Sequence, residues 1–280
     1  MTTLQSVVQT ATQKLQNNSD SPTLDAELLL AFVIGKNRTY LRTWPEQTLT
    51  LEQLEHFQAL IKQRNEGQPI AYLVGFRGFW SREFLVTPAV LIPRPDTELL
   101  IELVLAELPI NQHCKILDLG TGSGAIAITL AAERPLTIVT GSDNSQDALA
   151  IARVNAERLA IENIQFYQSD WFQQLPDTTY DFIVSNPPYI APDDPHLSQG
   201  DIRFEPQSAL IANAQGLHDL SIIADGARTM LKTDGALYLE HGYDQHQQVQ
   251  AILEKFNYTN IQTQNDLTGH PRVTSARWRY

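Results

Sequence analysis

The chain has 280 residues, 42% of them apolar, and a formal net charge of −12, which suits one large domain or a standard domain with a small companion. Its single cysteine, Cys114, excludes an internal disulfide, and no apolar run approaches the roughly 18 residues of a membrane span. Residues 1–90 balance 8 acidic against 8 basic side chains, whereas residues 91–280 hold 24 against 12, an acidic later part that argues against tracking a nucleic-acid backbone.

The first residues lack the basic start and apolar stretch of a secretory signal, so a soluble cytoplasmic protein is expected. Leu4, Val7, Val8, Ala11 and Leu15 recur at helical spacing and form one apolar stripe. A loop, Asn17 to Pro22, precedes a second, deeply buried helix carrying Ala26, Leu28, Leu29, Leu30, Phe32 and Val33, which stops at Gly35. A short element follows around Tyr40–Leu41. Thr50 then caps a third helix, with apolar positions Leu51, Leu54, Phe57, Leu60 and Ile61 and Gly67 at its end. Aromatic residues and glycines between 69 and 93 suggest a β-hairpin with Ser81–Glu83 near its turn, and Pro88, Pro93 and Pro95 stiffen a connector. The expected domains are therefore residues 1–73 (helical), 74–93 (hairpin and linker) and 94–280.

From residue 97 the pattern alternates. Strands are expected at 115–119, 137–142, 164–169, 180–185, 235–241, 259–264 and 272–279. Helices are expected at 97–107, 124–133, 145–159, 218–231 and 245–256. Such alternation implies an α/β fold with a mostly parallel sheet covered on both faces. The last two strands have no helix between them, so the final one should run antiparallel.

The chemistry gathers at strand ends. Asn186-Pro187-Pro188-Tyr189 follows the apolar run Phe182-Ile183-Val184. Two prolines cannot continue a strand, because each lacks an N–H and has a fixed φ. The chain leaves the sheet in a stiff turn that holds an amide side chain and main-chain carbonyls in place. Such acceptors suit the two N–H bonds of a planar NH2 group, either a carboxamide or the exocyclic amine of adenine or cytosine. The first strand of the alternating part ends in Asp118-Leu-Gly120-Thr121-Gly122-Ser123-Gly124, a glycine-rich turn before a helix. Asp143 ends the next strand and can accept from both hydroxyls of a ribose. Trp171, after the third, can stack on a purine or simply pack. These ends line the ligand crevice of an open α/β sheet.

Together with Asp25-Ala-Glu-Leu-Leu-Leu30, Leu91-Ile-Pro-Arg-Pro-Asp-Thr-Glu98 and Arg203-Phe-Glu-Pro206, these motifs resemble the bacterial HemK/PrmC family of release factor glutamine methyltransferases. The likeness runs over essentially the whole chain. It implies a class I, Rossmann-like methyltransferase domain with a seven-stranded sheet. It also implies S-adenosyl-L-methionine as methyl donor, with S-adenosyl-L-homocysteine as product. The acceptor would be the glutamine of the Gly-Gly-Gln tripeptide in class 1 peptide-chain release factors, recognised in part by the N-terminal helices. Gly120, Thr121, Gly122, Ser123 and Gly124 would cradle the methionine portion, Asp143 the ribose and Trp171 the adenine. Asn186 would touch cofactor and substrate, and Asn186, Pro187, Pro188 and Tyr189 would bind the acceptor glutamine, with Asn186, Pro187 and Tyr189 as the catalytic set.

In that mechanism the enzyme orients a nitrogen and no metal or general base is called for, since the proton leaves after transfer. A monomer is expected, without direct nucleic-acid or membrane contact. The runner-up is an adenine N6-methyltransferase acting on DNA or RNA, which would use the same tetrapeptide but usually adds a basic recognition region. A non-catalytic cofactor-binding protein and a nicotinamide dehydrogenase rank lower. Arg94 and Glu98 either line the site or pair with each other. Glu205 belongs to a lid or a solvated loop, and His241 ends a strand where it can satisfy a carbonyl.

Overall fold

A computed structural model describes residues 2–279. The chain forms two units, one comprising residues up to Phe76 with His196–Phe204, the other Arg77–Pro195 with Glu205 onward. No sequence pattern groups residues 196–204 with the helices. They are held there by hydrogen bonds from Arg64 to Asp201 (2.8 Å) and from Arg203 to the carbonyl of Glu66 (3.2 Å). Each bond joins residues 137 apart, so no local signal announces it.

The first unit contains α1 (Leu4–Leu15), α2 (Pro22–Ile34), α3 (Arg38–Thr43), α4 (Leu51–Asn65) and α5 (Ile70–Val74). Thr3 caps α1, accepting from the Ser6 N–H, and Leu4, Val7, Ala11 and Leu15 are buried along one stripe. Thr50 and Gln53 form a capping box that opens α4. In α2, Ala26, Leu29 and Leu30 are fully buried, but Phe32 is 43% exposed. Its apolar run is wider than the face the bundle covers, and Phe32 meets the ring of His56 edge-on. The five residues of α5 are too few to show a periodic stripe, which is why sequence patterning does not reveal it.

A buried ion cluster ties this unit together. Arg64 donates to Asp25 (2.7 Å), to Asp201 (2.8 Å) and to the Gln68 carbonyl (3.0 Å). Asp25 also accepts from the hydroxyls of Ser19 (2.7 Å) and Ser21 (3.2 Å). Arg64→Met leaves Asp25 buried with two neutral donors only. It should lower stability by about 2–3 kcal/mol in denaturant unfolding and expose residues 196–204 to limited proteolysis. Native-like resistance at that segment would contradict the assignment.

The second unit opens with a hairpin, β1 (Phe76–Phe79) and β2 (Arg82–Leu85). Its turn is Trp80–Ser81, both left-handed (φ 48° and 58°), slightly earlier than the sequence suggests. There follow α6 (Glu98–Glu107), β3 (Lys115–Leu119), α7 (Ala125–Glu133), β4 (Ile138–Asp143), α8 (Gln146–Arg158), β5 (Ile164–Gln168) and β6 (Tyr180–Ser185). A one-turn segment α9 (Asn213–Gly216) precedes α10 (His218–Met230), β7 (Leu231–Glu240), α11 (His246–Lys255), β8 (Thr259–Asn265) and β9 (Pro271–Arg277). Seven strands form one sheet in the order β5-β4-β3-β6-β7-β9-β8. The first five pair in parallel, and β9 runs antiparallel to both β7 and β8, as expected. The β7 strand starts four residues earlier than expected, because Leu231 already pairs with Tyr180 across an irregular step.

Register decides where the chemistry lies. Leu119 is level with Ser142 on one side and Ser185 on the other, and Asp143 is level with Gln168. The residues that follow β3 and β6 therefore emerge side by side, where the strand order switches direction. Among the described residues, no helix is long and apolar enough to cross a membrane.

Candidate active site

A cavity of about 270 Å³ opens at these strand ends. Gly120 and Gly122 line it after β3, Asp143 ends β4, Trp171 follows β5, and Asn186 and Pro188 follow β6. Its walls are Ala89–Leu91 and the segment with Pro206, Ser208 and Ala209.

Gly120, Gly122 and Gly124 all take left-handed φ values (71°, 55° and 82°), which folds the loop tightly over the strand end. Gly122 donates its N–H to Asp143 Oδ2 (2.9 Å), and the Ser145 N–H binds Oδ1 (2.9 Å). These bonds orient the carboxylate and leave each oxygen further lone-pair capacity. Burial raises the Asp143 pKa, against the backbone N–H groups of Ser145, Gly122 and Asn144, which lower it. The remaining loop residues lie behind the cavity wall. The Thr121 hydroxyl donates to Asp118 Oδ2 (2.7 Å), Ser123 is 3% exposed with its carbonyl taking the Asn155 amide (2.9 Å), and a Cβ on Gly124 would meet Ile128 at 2.7 Å.

Asp118 is fully buried, and burial pushes its carboxyl up to about 7 despite hydrogen bonds from Thr121 and the Ala127 N–H. The folded chain thus keeps a proton that an unfolded carboxyl releases near 3.8, so this group's contribution is present at low pH and is lost as pH rises toward 7. Asp118→Asn has no such titration. Unfolding measured from about pH 4 to about pH 8 should show its stability rising relative to the native chain. A pH-independent difference would contradict the burial argument.

The proline corner is braced from several sides. The Ser185 hydroxyl donates to the Leu119 carbonyl (2.7 Å), fixing the end of β6 to β3. Asn186 lines the cavity and donates its side-chain amide to Thr97 Oγ1 (3.1 Å), so that its oxygen takes no part in this bond. The Tyr189 hydroxyl donates to Glu240 Oε1 (3.4 Å). The Tyr189 carbonyl is taken by Gln245 Nε2 (2.9 Å), and Gln245 Oε1 accepts from the Gly242 N–H (2.8 Å). Beyond the corner, the Ile190 N–H bonds to Leu210 and the Ala212 N–H to Ile190, both at 2.9 Å. Asn186 and Pro188 line the cavity, whereas Pro187 is buried and Tyr189 stands behind them.

Gly216 makes the closest approach. A Cβ there would lie 2.0 Å from the Tyr189 carbonyl oxygen, and its φ is +81°. Gly216→Ala should therefore displace the corner, lowering stability by about 1–3 kcal/mol in denaturant unfolding. An alanine variant of native stability would mean that Gly216 and Tyr189 are not locked together.

Sequence reasoning misses Thr97, Gln245 and Gly216, whose partners are distant in the chain. Of the alternatives left open for Arg94, Glu98 and Glu205, two are excluded: Arg94 pairs with Glu205, not with Glu98, and Glu205 is 4% exposed rather than in a solvated loop. Glu205 also accepts the Ile92 N–H (3.1 Å), so one carboxylate joins the two cavity walls. Glu98 instead accepts the Trp80 N–H (2.8 Å). His241 is fully buried, with Nδ1 donating to the Gly242 carbonyl and Nε2 accepting from Thr274, both at 2.8 Å.

Asp143, Asp170 and Asp219 all line the cavity, and no Lys, Arg or His stands among the lining residues. Such a lining repels phosphates and favours a ligand with positive charge.

Comparison with known proteins agrees with this geometry. Residues 6–75 match the PrmC N-terminal domain and residues 96–202 the methyltransferase small domain. The release factor glutamine methyltransferase of Salmonella typhimurium is 52% identical over 261 residues, covering 93% of this chain and 94% of that protein. That of Vibrio cholerae is 48% identical over 279 residues, covering 99% and 97%. Among solved structures, the Thermus thermophilus 16S rRNA N2 G1207 methyltransferase, in complex with AdoMet and guanosine, shares the fold. Its TM-score is 0.53 at 20% identity, over 73% of this chain and 50% of that one. About half identical to these relatives over nearly its whole length, the chain belongs to the release factor glutamine methyltransferase family.

Proposed function

We propose that this chain transfers a methyl group from S-adenosyl-L-methionine to the side-chain amide nitrogen of the Gly-Gly-Gln glutamine in class 1 peptide-chain release factors. The observation that carries the reading is the emergence of Asn186 beside Gly120 in register at the switch point. An amide acceptor and a cofactor loop thereby share one cavity.

The residues present fit this cofactor. A sulfonium and an ammonium suit a cavity with three carboxylates and no cation among its lining residues, which would repel the pyrophosphate of a dinucleotide. The remaining lone pairs of Asp143 would hold ribose hydroxyls, and Trp171 would flank the adenine. When bound, the cofactor supplies a methyl on a good leaving group, so the protein's task is to orient the acceptor.

Asn186 Oδ1 accepts one N–H of the glutamine amide and the Pro187 carbonyl accepts the other. The two bonds fix the plane of a nitrogen whose lone pair is otherwise delocalised. Proximity and orientation then supply most of the acceleration. The proton leaves after transfer, when the nitrogen is acidic. We read the chain as a cytoplasmic monomer without direct nucleic-acid contact. The buried free thiol of Cys114 and the acidic balance of residues 91–280 support that reading.

Mass spectrometry of a purified class 1 release factor, after incubation with enzyme and cofactor, should show one added methyl on the tripeptide glutamine. An unmodified glutamine, or a methyl elsewhere, would overturn the reading. Asn186→Ala should lower turnover by ~10²-fold with a smaller effect on cofactor affinity. Asp143→Ala should mainly weaken cofactor binding in calorimetry.

A further inference from the structure

Trp171 stands on an unusual backbone. Its φ is +48°, in the left-handed region that a bulky side chain enters only at a steric cost. Of the described non-glycine residues with positive φ, Trp171 is the one that lines the cavity. Strained backbone at a site persists where the surroundings enforce it.

The enforcement comes from one hydroxyl. Ser169, the residue after β5, is 2% exposed, and its N–H bonds to the Asp143 carbonyl (3.0 Å). Its Oγ donates to the Trp171 carbonyl (2.8 Å) and accepts from the Gln174 N–H (3.1 Å). The direction of both bonds is fixed, because a main-chain carbonyl only accepts and a main-chain N–H only donates. The hydroxyl thus closes the turn 169–174 around Trp171. The Gln173 N–H, bonded to the Asp170 carbonyl (3.1 Å), tightens the same turn.

This turn sends two adjacent aromatic rings to different walls. A Cβ on Gly120 would lie 3.9 Å from Trp171 Cζ3, so the indole stands beside the glycine loop. A Cβ on Gly226, in α10, would lie 2.3 Å from Phe172 Cδ2, so Phe172 fills the slot that this glycine leaves. Phe172 anchors one side of the turn and Ser169 the other.

We propose that Ser169 is a positioning residue for the purine end of the cofactor: through the Trp171 backbone it holds the indole as a fixed wall on which the base stacks. Its hydroxyl proton is spent inside the turn, so Ser169 acts through Trp171. This deepens the function proposed above and rests on it.

A double-mutant cycle reads that coupling. In calorimetry with S-adenosyl-L-homocysteine, Ser169→Ala should raise Kd roughly tenfold, through the loss of both clasp bonds. Trp171→Ala should raise it by ~10-fold or more, through the loss of stacking. Adding Ser169→Ala to Trp171→Ala should change Kd by less than about twofold. With a release factor as acceptor, Ser169→Ala should raise the KM for cofactor and keep kcat within about threefold of native. Additive losses in the double variant, an unchanged Kd in Ser169→Ala, or a loss carried mainly by kcat would overturn the positioning role. Ser169→Cys, similar in shape but a weak donor, gives the same readouts should the alanine chain not fold.

A second readout needs no cofactor. The emission of Trp171, isolated as the difference between a chain and its Trp171→Phe counterpart, reports indole rotation in time-resolved anisotropy. Rotation should be restricted in the native chain and freer in Ser169→Ala. Equal restriction in both would refute the clasp whether or not the protein binds cofactor. A native chain with a restricted indole but no measurable affinity for S-adenosyl-L-homocysteine would instead refute the proposed function, and the purine role with it.

Discussion

The structure depends on a backbone that is not allowed to continue. At Asn186 the central strand β6 meets Pro187 and Pro188, which have no N–H to give the sheet and a φ that cannot follow the pleat. The strand stops, and its last polar groups point into the crevice instead of into a ladder. The protein itself braces the residues just past the prolines. Gln245 takes the Tyr189 carbonyl, Gly216 leaves room for it, and the Ile190 backbone pairs with Leu210 and Ala212. The carbonyl of Tyr189 is thus used internally, whereas Asn186 lines the cavity. The division gives the corner both rigidity and a cavity-facing side chain.

Electrostatics give the cavity its preference. Burial pushes the carboxyls of Asp118 and Glu240 up to about 7, and the cavity lining carries Asp143, Asp170 and Asp219. Carboxyl groups so arranged are unfavourable for folding and offer nothing to a phosphate. They become useful when a ligand brings positive charge. Glu205 works by another route. It is buried and paired with Arg94 while it holds Ile92, and so joins two walls of the cavity that lie far apart in sequence.

Much of this is legible in the sequence because it is local. The strand at 180–185 is readable to the residue, and the glycine loop, Asp143 and Asn186 are identifiable because each sits at the end of an apolar run. The antiparallel final strand follows from the missing helix between β8 and β9. The parts that escape such reading depend on contacts across the chain. Residues 196–204 carry polar and charged side chains and look solvated, yet Asp201 is fixed by Arg64. Glu205 looks like part of the same loop and is buried. Gln245 has the composition of a helix cap, and only the fold brings it to Tyr189. Thr97 sits beside motif residues and carries no pattern of its own, since a side-chain hydrogen bond from Asn186 has no periodicity to read.

The most direct measurement is a crystal structure of the chain with S-adenosyl-L-homocysteine and a peptide containing Gly-Gly-Gln. The glutamine amide nitrogen should lie within hydrogen-bond distance of both Asn186 Oδ1 and the Pro187 carbonyl oxygen, facing the cofactor sulfur. A glutamine seated elsewhere, or an Asn186 that turns its NH2 group toward it, would contradict the proposed clamp at its centre.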